Sequence, residues 1–337
     1  MNFDTGRLYA ARVNDEPVLV VSLRKSGTHL LKEVMTGLGY VLNGAVSSAG
    51  AQPRRLGRQT ALRVLGAVYT PDEIAALKRS RDRAAVDRAV SRAVTVLNRA
   101  WSARLGMPRT AVAGSDPETD RLTARELSRQ SGYRFSDTPG GVCWFTHDLD
   151  LARVDGNFLL EWARSDRPKI ILNYRDPRDV LLSMVNFLAE KDAGRLGGFP
   201  DHVVYSDILK TVQDPRDRIS IALTDPGFPG GDSFERALWL LRHPRVCKVT
   251  FEALVGPDGG GSAAAQAGEI KKITDFLDLT DAMDSAGREV LARRIFNRDS
   301  HTFRSGRTGA WREHFTPEHH TLFERRYGSL ARLYGYA

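Results

Sequence analysis

Three residues able to hold an anion or move a proton fall just past three separate apolar runs. Lys25 follows Val18–Leu23, His147 closes the run that begins at Gly141, and Arg175 follows Pro168–Tyr174. Lysine offers a compact positive charge, and arginine a fork of donors that can grip a phosphate twice. Histidine offers a base that works near neutral pH. Arg24-Lys25-Ser26-Gly27-Thr28 is a short turn leading into a helical pattern of Leu30, Leu31, Val34, Met35 and Leu38. Strand, glycine turn and helix start together make an anion site, because backbone N–H groups and the positive end of the helix dipole aim at one place. The plain alternative is an ordinary strand-to-helix turn with a solvated lysine.

The turn is not the common G-x-x-x-x-G-K-[ST] nucleotide loop, which wraps two phosphates and places its Ser/Thr on magnesium. Here Lys25 precedes the only glycine, and the turn is too short to wrap a triphosphate; a 5′-phosphate suits it better. Ser183 follows Arg175 by eight residues, across Asp176-Pro177 and two turns of a helix carrying Val180, Leu181, Met184, Val185 and Leu188. Guanidinium and hydroxyl could share one phosphate. Taken singly, Arg175 would equally suit an ion pair with Asp176 or Asp179, Ser183 an exposed helix face, and His147 a bond to Asp148 or to backbone.

Positioning these groups falls to strands that alternate with helices, which implies an α/β protein with a parallel sheet covered on both faces. In such sheets ligands lie beyond the carboxyl ends of the strands, the address that Lys25, His147 and Arg175 share. A fourth strand is expected at Arg245–Phe251. Helices are expected over Pro71–Leu105 (one long or two short), near Thr123–Gln130, and over Leu151–Arg164. Further helices are expected from Pro177, near Arg216–Leu223, and over Ser233–Leu241, Glu269–Leu277, Ala286–Phe296 and Pro317–Tyr334. Residues 1–16 read as a loose lead-in, and 41–70, most of 106–140 and 191–233 as irregular. Pro257–Ala267 reads as a low-complexity loop and Phe303–Trp311 as a glycine-containing one.

The 337 residues are 42% hydrophobic, enough for one large domain or one with an insertion. The net charge of +8 fits a basic surface or an anionic ligand. Nucleic acid is disfavoured, since no helix-turn-helix, zinc or RNP-like pattern occurs. No apolar run nears the ~20 residues of a membrane span. Charged residues before Pro17 break any secretory pattern. Cys143 and Cys247 sit in apolar runs, as buried thiols of a reducing compartment do. A cytoplasmic protein is expected; its subunit number is open.

Five motifs, in order, resemble those of sulfotransferases that use 3′-phosphoadenosine-5′-phosphosulfate, of the cytosolic type and the bacterial sulfotransferase domain. Lys25-Ser-Gly-Thr28 is similar to their 5′-phosphosulfate loop, and Thr146-His147 to a Thr-His pair whose histidine is the base. Tyr174-Arg-Asp-Pro-Arg-Asp-Val-Leu-Leu-Ser183 is similar to their 3′-phosphate motif. Val249-Thr-Phe-Glu-Ala-Leu254 is similar to a strand-plus-acidic segment, and Phe303–Arg312 to the C-terminal loop that closes over the nucleotide. The likeness spans residues 18 to 315 and leaves 41–140 and 191–230 unmatched.

The resemblance implies a P-loop-NTPase-like sulfotransferase fold, a central parallel sheet flanked by helices. It implies a single domain over 1–337, with a mainly helical insertion at 41–140 on the acceptor side. His147 would be the base, and Lys25 would stabilise the leaving phosphate. Arg24, Lys25, Ser26, Gly27, Thr28 and His29 would surround the 5′-phosphosulfate. Arg175, Ser183, Arg304, Ser305 and Gly306 would hold the 3′-phosphate, with Phe251 near the nucleotide. The product would be 3′,5′-adenosine diphosphate (PAP). His147 would work at its ordinary pKa of about 6.5, and no metal is required.

Four positions depart from the family pattern. Leu30 stands where many members stack a tryptophan on adenine, Phe251 replaces a tyrosine, Phe145 a lysine, and Ser305 the loop lysine. The acceptor would carry a hydroxyl or amine, with a small-molecule metabolite favoured over glycans or lipids. Two rivals stay open: a P-loop kinase, with Asp148 or Asp176 as magnesium ligand, and a non-catalytic nucleotide binder.

Overall fold

The computed structural model describes residues 17–44, 58–80, 82–107, 116–129, 134–138, 140–191, 196, 199–280, 283–295 and 307–336. The lead-in 1–16 and Arg304, Ser305 and Gly306 lie outside the described residues.

The first unit is β1 (Val18–Ser22), α1 (Thr28–Gly37) and β2 (Val41–Gly44). A helical segment follows: α2 (Arg58–Val68), α3 (Pro71–Arg79), α4 (Arg83–Arg104) and α5 (Pro117–Ser128). The chain then returns through β3 (Val142–Thr146), α6 (Gly156–Ser165), β4 (Lys169–Tyr174) and α7 (Pro177–Glu190). Next come α8 (Pro200–Thr211), α9 (Pro215–Thr224), α10 (Asp232–Arg242), β5 (Val246–Thr250) and the single turn α11 (Phe251–Leu254). The remainder is α12 (Ala263–Phe276), α13 (Ser285–Ile295), α14 (Trp311–His314) and α15 (Pro317–Leu333).

The strands form one all-parallel sheet in the order β2-β3-β1-β4-β5. Alternation of side chains along each strand divides the core in two. Leu19, Val21, Trp144, Ile170 and Leu172 face the layer of α6, α7, α10 and α15. Val18, Val20, Phe145, Ile171 and Val249 face the layer of α1, α12 and α13. A third cluster, with Val64, Leu65, Val96, Leu97 and Leu122, joins α2, α4 and α5. Each such fully buried Val or Leu contributes roughly 1.5–3 kcal/mol, so the sheet is a firm base for whatever its ends carry. Register aligns those ends, pairing Val21 with Thr146, Ser22 with Asn173, and Tyr174 with Thr250.

The parallel sheet covered by helices is as expected, but it has a fifth strand, β2, within the stretch read as irregular. Gly44 has φ +86 there, and a Cβ would lie 2.2 Å from the Phe145 carbonyl oxygen; only glycine permits so close an approach. The same stretch holds α2. The segment 191–233 holds α8 as well as α9, and α12 begins at Ala263, inside the expected low-complexity loop. Pro71–Arg104 is two helices, the first opened by a Thr70–Glu73 capping box. Cys143 and Cys247 are buried and unpaired. Among the described residues no helix is long and apolar enough to cross a membrane.

Candidate functional site

Four neighbouring strands, β3-β1-β4-β5, each deliver one side chain to the same sheet edge: His147, Lys25, Arg175 and Phe251. The turn after β1 is shaped by two left-handed residues, Lys25 at φ 62 and Gly27 at φ 79. The lysine conformation costs roughly 1–2 kcal/mol, offset by bonds from below. The Ser26 N–H donates to the Leu23 carbonyl at 3.1 Å. Asn173 Nδ2 donates to both the Ser26 carbonyl and Ser22 Oγ at 2.9 Å, and Ser22 Oγ meets Thr28 Oγ1 at 2.8 Å. Asn173 was not singled out in the sequence. A buried polar residue inside the run Ile170-Ile-Leu-Asn-Tyr was the available signal.

Helix α1 starts at Gly27 with no side-chain cap, whereas Asp155, Asp176 and Asp214 cap α6, α7 and α9. No side chain therefore closes that end, and the Leu30 N–H donates to the Gly27 carbonyl at 2.9 Å. Ser26 Oγ is buried without a hydrogen-bond partner. His29 is pushed down to about 4, by burial first and then by Lys25, Arg175 and Lys32. Cations that disfavour a protonated imidazole favour an anion in the same place.

Arg175 is buried, and its guanidinium lies 4.2 Å over the Phe251 ring. Phe251 also packs against Gly27, where an added Cβ would stand 2.4 Å from Cδ2, so one ring joins the turn to the arginine. Arg175 Nη2 donates to the Arg307 carbonyl at 2.6 Å and stands 3.4 Å from Asp179 Oδ2. Nη1 reaches the Lys25 carbonyl at 3.5 Å, and Nε is buried without a partner. The ion pair to Asp179, one of the plain alternatives for Arg175, is therefore present, with Nε left over. Lys25 Nζ stands 4.1 Å over the Phe187 ring. Ser183 lies four residues from both Asp179 and Phe187, on one face of α7. Asp179 meets the Arg175 guanidinium and Phe187 lies under the Lys25 ammonium, so the stripe that carries Ser183 spans both cations.

His147 Nδ1 is 3.0 Å from the Ser22 carbonyl oxygen. A carbonyl only accepts, so Nδ1 carries the proton and Nε2 is left as the acceptor. Burial, then Arg24, His202 and Lys25, push His147 down to about 4 against the upward pull of the Ser22 bond. The ordinary value expected from sequence is thereby corrected: the ring is neutral at pH 7, and a weaker base. Thr146 Oγ1 donates to the Asp148 carbonyl at 2.7 Å, bracketing His147.

Arg24 turns to α8, donating to Asp201 Oδ2 at 2.7 Å, with its guanidinium 4.3 Å over Phe199. The Phe199 ring lies 6.2 Å from His147. These α8 contacts were missed because the segment read as loop. Leu30 and Phe145, two departures from the family pattern, are both buried in the core, and Leu30 Cδ1 would lie 3.4 Å from a Cβ added at Gly27.

The two carboxylates a kinase would need are both held in ion pairs, with Asp148 Oδ1 buried without a hydrogen-bond partner. Asp148 pairs with Arg236 at 2.6 Å and Arg153 at 3.2 Å. Asp176 caps α7 and pairs with Arg178 at 2.8 Å. Among the described residues no group of three or more His, Cys, Asp or Glu is placed to hold a metal ion.

No protein-family model matches the sequence, and no curated protein matches it. Among solved structures, the chain is similar to mouse sulfotransferase SULT7A1 complexed with PAP. The TM-score is 0.49 and the identity 15%, over 98% of this chain and 91% of that one. It is also similar to retinol dehydratase in complex with androsterone and the inactive cofactor PAP. There the TM-score is 0.47 and the identity 15%, over 96% of this chain and 82% of that one.

Proposed function

We propose that this chain is a sulfotransferase that moves the sulfuryl group of 3′-phosphoadenosine-5′-phosphosulfate to a hydroxyl or amine of a small-molecule acceptor. The observation that supports it is a convergence. An uncapped helix start with the orphaned Ser26 hydroxyl, the Lys25 ammonium, the partnerless Nε of Arg175 and the acceptor nitrogen of His147 meet at one sheet edge. These donors fit a nucleotide with phosphates at two positions. Residues 25 to 29 would take the 5′ group, and Arg175 with Ser183 the 3′ one.

The acceptor's lone pair attacks sulfur, the bond from sulfur to the bridging phosphate oxygen breaks, and that oxygen keeps the electron pair. The acceptor proton passes to His147 Nε2. Lys25 and the α1 amides stabilise the charge gathering on the leaving phosphate. Products are the sulfated acceptor and PAP. Phe199 and α8, with the helical segment between β2 and β3, form the acceptor side of a single domain, in a cytoplasmic protein.

The kinase reading is weakened by the ion pairs of Asp148 and Asp176. Transfer of label from the phosphosulfate donor, assayed with and without EDTA against magnesium-ATP, separates the possibilities. Donor use that persists in EDTA is expected. Strict magnesium-ATP use would establish the kinase, and use of neither substrate a binder.

A further inference from the structure

Asp179 lies in the first turn of α7, four residues past Arg175, and is buried. Its Oδ2 accepts the Gly309 N–H at 2.7 Å, and its Oδ1 accepts the Trp311 N–H at 3.1 Å. The same Oδ2 stands 3.4 Å from Arg175 Nη2, which donates to the Arg307 carbonyl. Two further contacts fasten this stretch: Arg178 lies 4.2 Å over the Trp311 ring, and the Thr308 N–H donates to the Gly259 carbonyl at 3.1 Å. Residues 307–311 are thus pinned through backbone groups to the helix that follows the phosphate arginine. A buried carboxylate needs such donors, and charge-assisted bonds to amides are among the stronger ones.

We infer that Asp179 is a positioning residue coupling Arg175 to the 307–311 segment, so that a phosphate held by Arg175 and the pinned segment stabilise each other. The inference rests on the sulfotransferase reading of the site. The physical basis is division of labour on one guanidinium. Nη2 is committed to Asp179 and Arg307, which fixes the plane of the group and leaves Nε for an anion. A lone carboxylate beside an anion would repel it. Here Arg175 and two amides neutralise that charge.

The test compares binding of PAP and of adenosine 5′-phosphate, which lacks the 3′-phosphate, to the full chain and to Asp179→Asn by calorimetry. Hydrogen exchange of 307–311 is followed in the same samples. Asparagine keeps the size but accepts through one oxygen only. PAP affinity should fall at least tenfold in the variant, adenosine 5′-phosphate affinity should change less than twofold, and 307–311 should exchange faster. An unchanged preference for PAP, or equal losses for both nucleotides in a folded variant, overturns the coupling.

Should the variant not fold, the unaltered chain decides. PAP must slow exchange at Gly309 and Trp311 more than adenosine 5′-phosphate does, and equal slowing overturns the coupling. Failure of the unaltered chain to bind either nucleotide sinks the sulfotransferase reading and the coupling with it. Binding with no difference between the two ligands sinks the coupling alone.

Discussion

The imidazole of His147 hangs from the last residue of the adjacent strand, with Nδ1 3.0 Å from the carbonyl oxygen of Ser22. That bond selects the tautomer and leaves Nε2 as the acceptor. The proton acceptor is therefore set by backbone, with no acidic partner. His147→Ala should lower turnover by about 10²–10⁴-fold while PAP affinity stays within about twofold. Retained turnover in the variant would take the base assignment away.

Depression of His147 to about 4 shifts the acid limb of the rate profile. The base is active when neutral, so kcat/KM should stay level from pH 8 to about 5.5 and fall only nearer 4. An ordinary histidine would already be half lost near 6.5. A limb at 6.5 in a kcat/KM titration would count against burial of the ring.

The same shifts act on stability. His29 and His147 are both depressed to about 4 in the folded chain, against about 6.5 unfolded. Between those values the unfolded chain takes up protons that the folded one refuses, so stability falls as pH drops from 6.5 towards 4. The loss is of the order of 3 kcal/mol per histidine. Urea midpoints at pH 7 and pH 4.5 measure it, and the difference should shrink in His29→Asn.

Arg175→Ala removes the buried guanidinium between Phe251 and Asp179. PAP affinity should weaken by ~2 kcal/mol for a lost charge-assisted contact, about thirtyfold. Calorimetry giving an unchanged constant would free Arg175 of its role.

At Gly27 a methyl group would meet Phe251 Cδ2 at 2.4 Å with φ at +79. Left-handed strain costs roughly 1–2 kcal/mol, and overpacking a further ~1–3 kcal/mol. Gly27→Ala should lower the melting temperature by several degrees and weaken PAP binding, and a scanning-calorimetry trace matching the parent would contradict both.

Much of the sheet was legible because buried parallel strands read as apolar runs, and Pro177 and Asp176 announced α7. What escaped had weak local signals. β2 is a four-residue edge strand ending Asn43-Gly44, too short and polar to register. α2 carries Gly66 in its last turn, and α8 exposes Val203, Val204 and Ile208, which blurs its period. Of the site, Lys25, His147, Arg175 and Phe251 lie at the expected edge. The supporting contacts of Asn173, Asp179 and Arg24 did not show in the sequence, because partners 130 to 177 residues away leave no local trace.

β1 is the middle strand, yet Val18 finds its partners only at Cys143 and Lys169. During synthesis the first apolar segment therefore leaves the ribosome long before either flank exists, and pairing across such separations is slow. Nascent chains halted before Tyr174 would carry a bare, sticky Val18–Ser22 edge. Production of this protein should accordingly depend on holdase chaperones, and on translation speed through the helical stretch that separates β2 from β3.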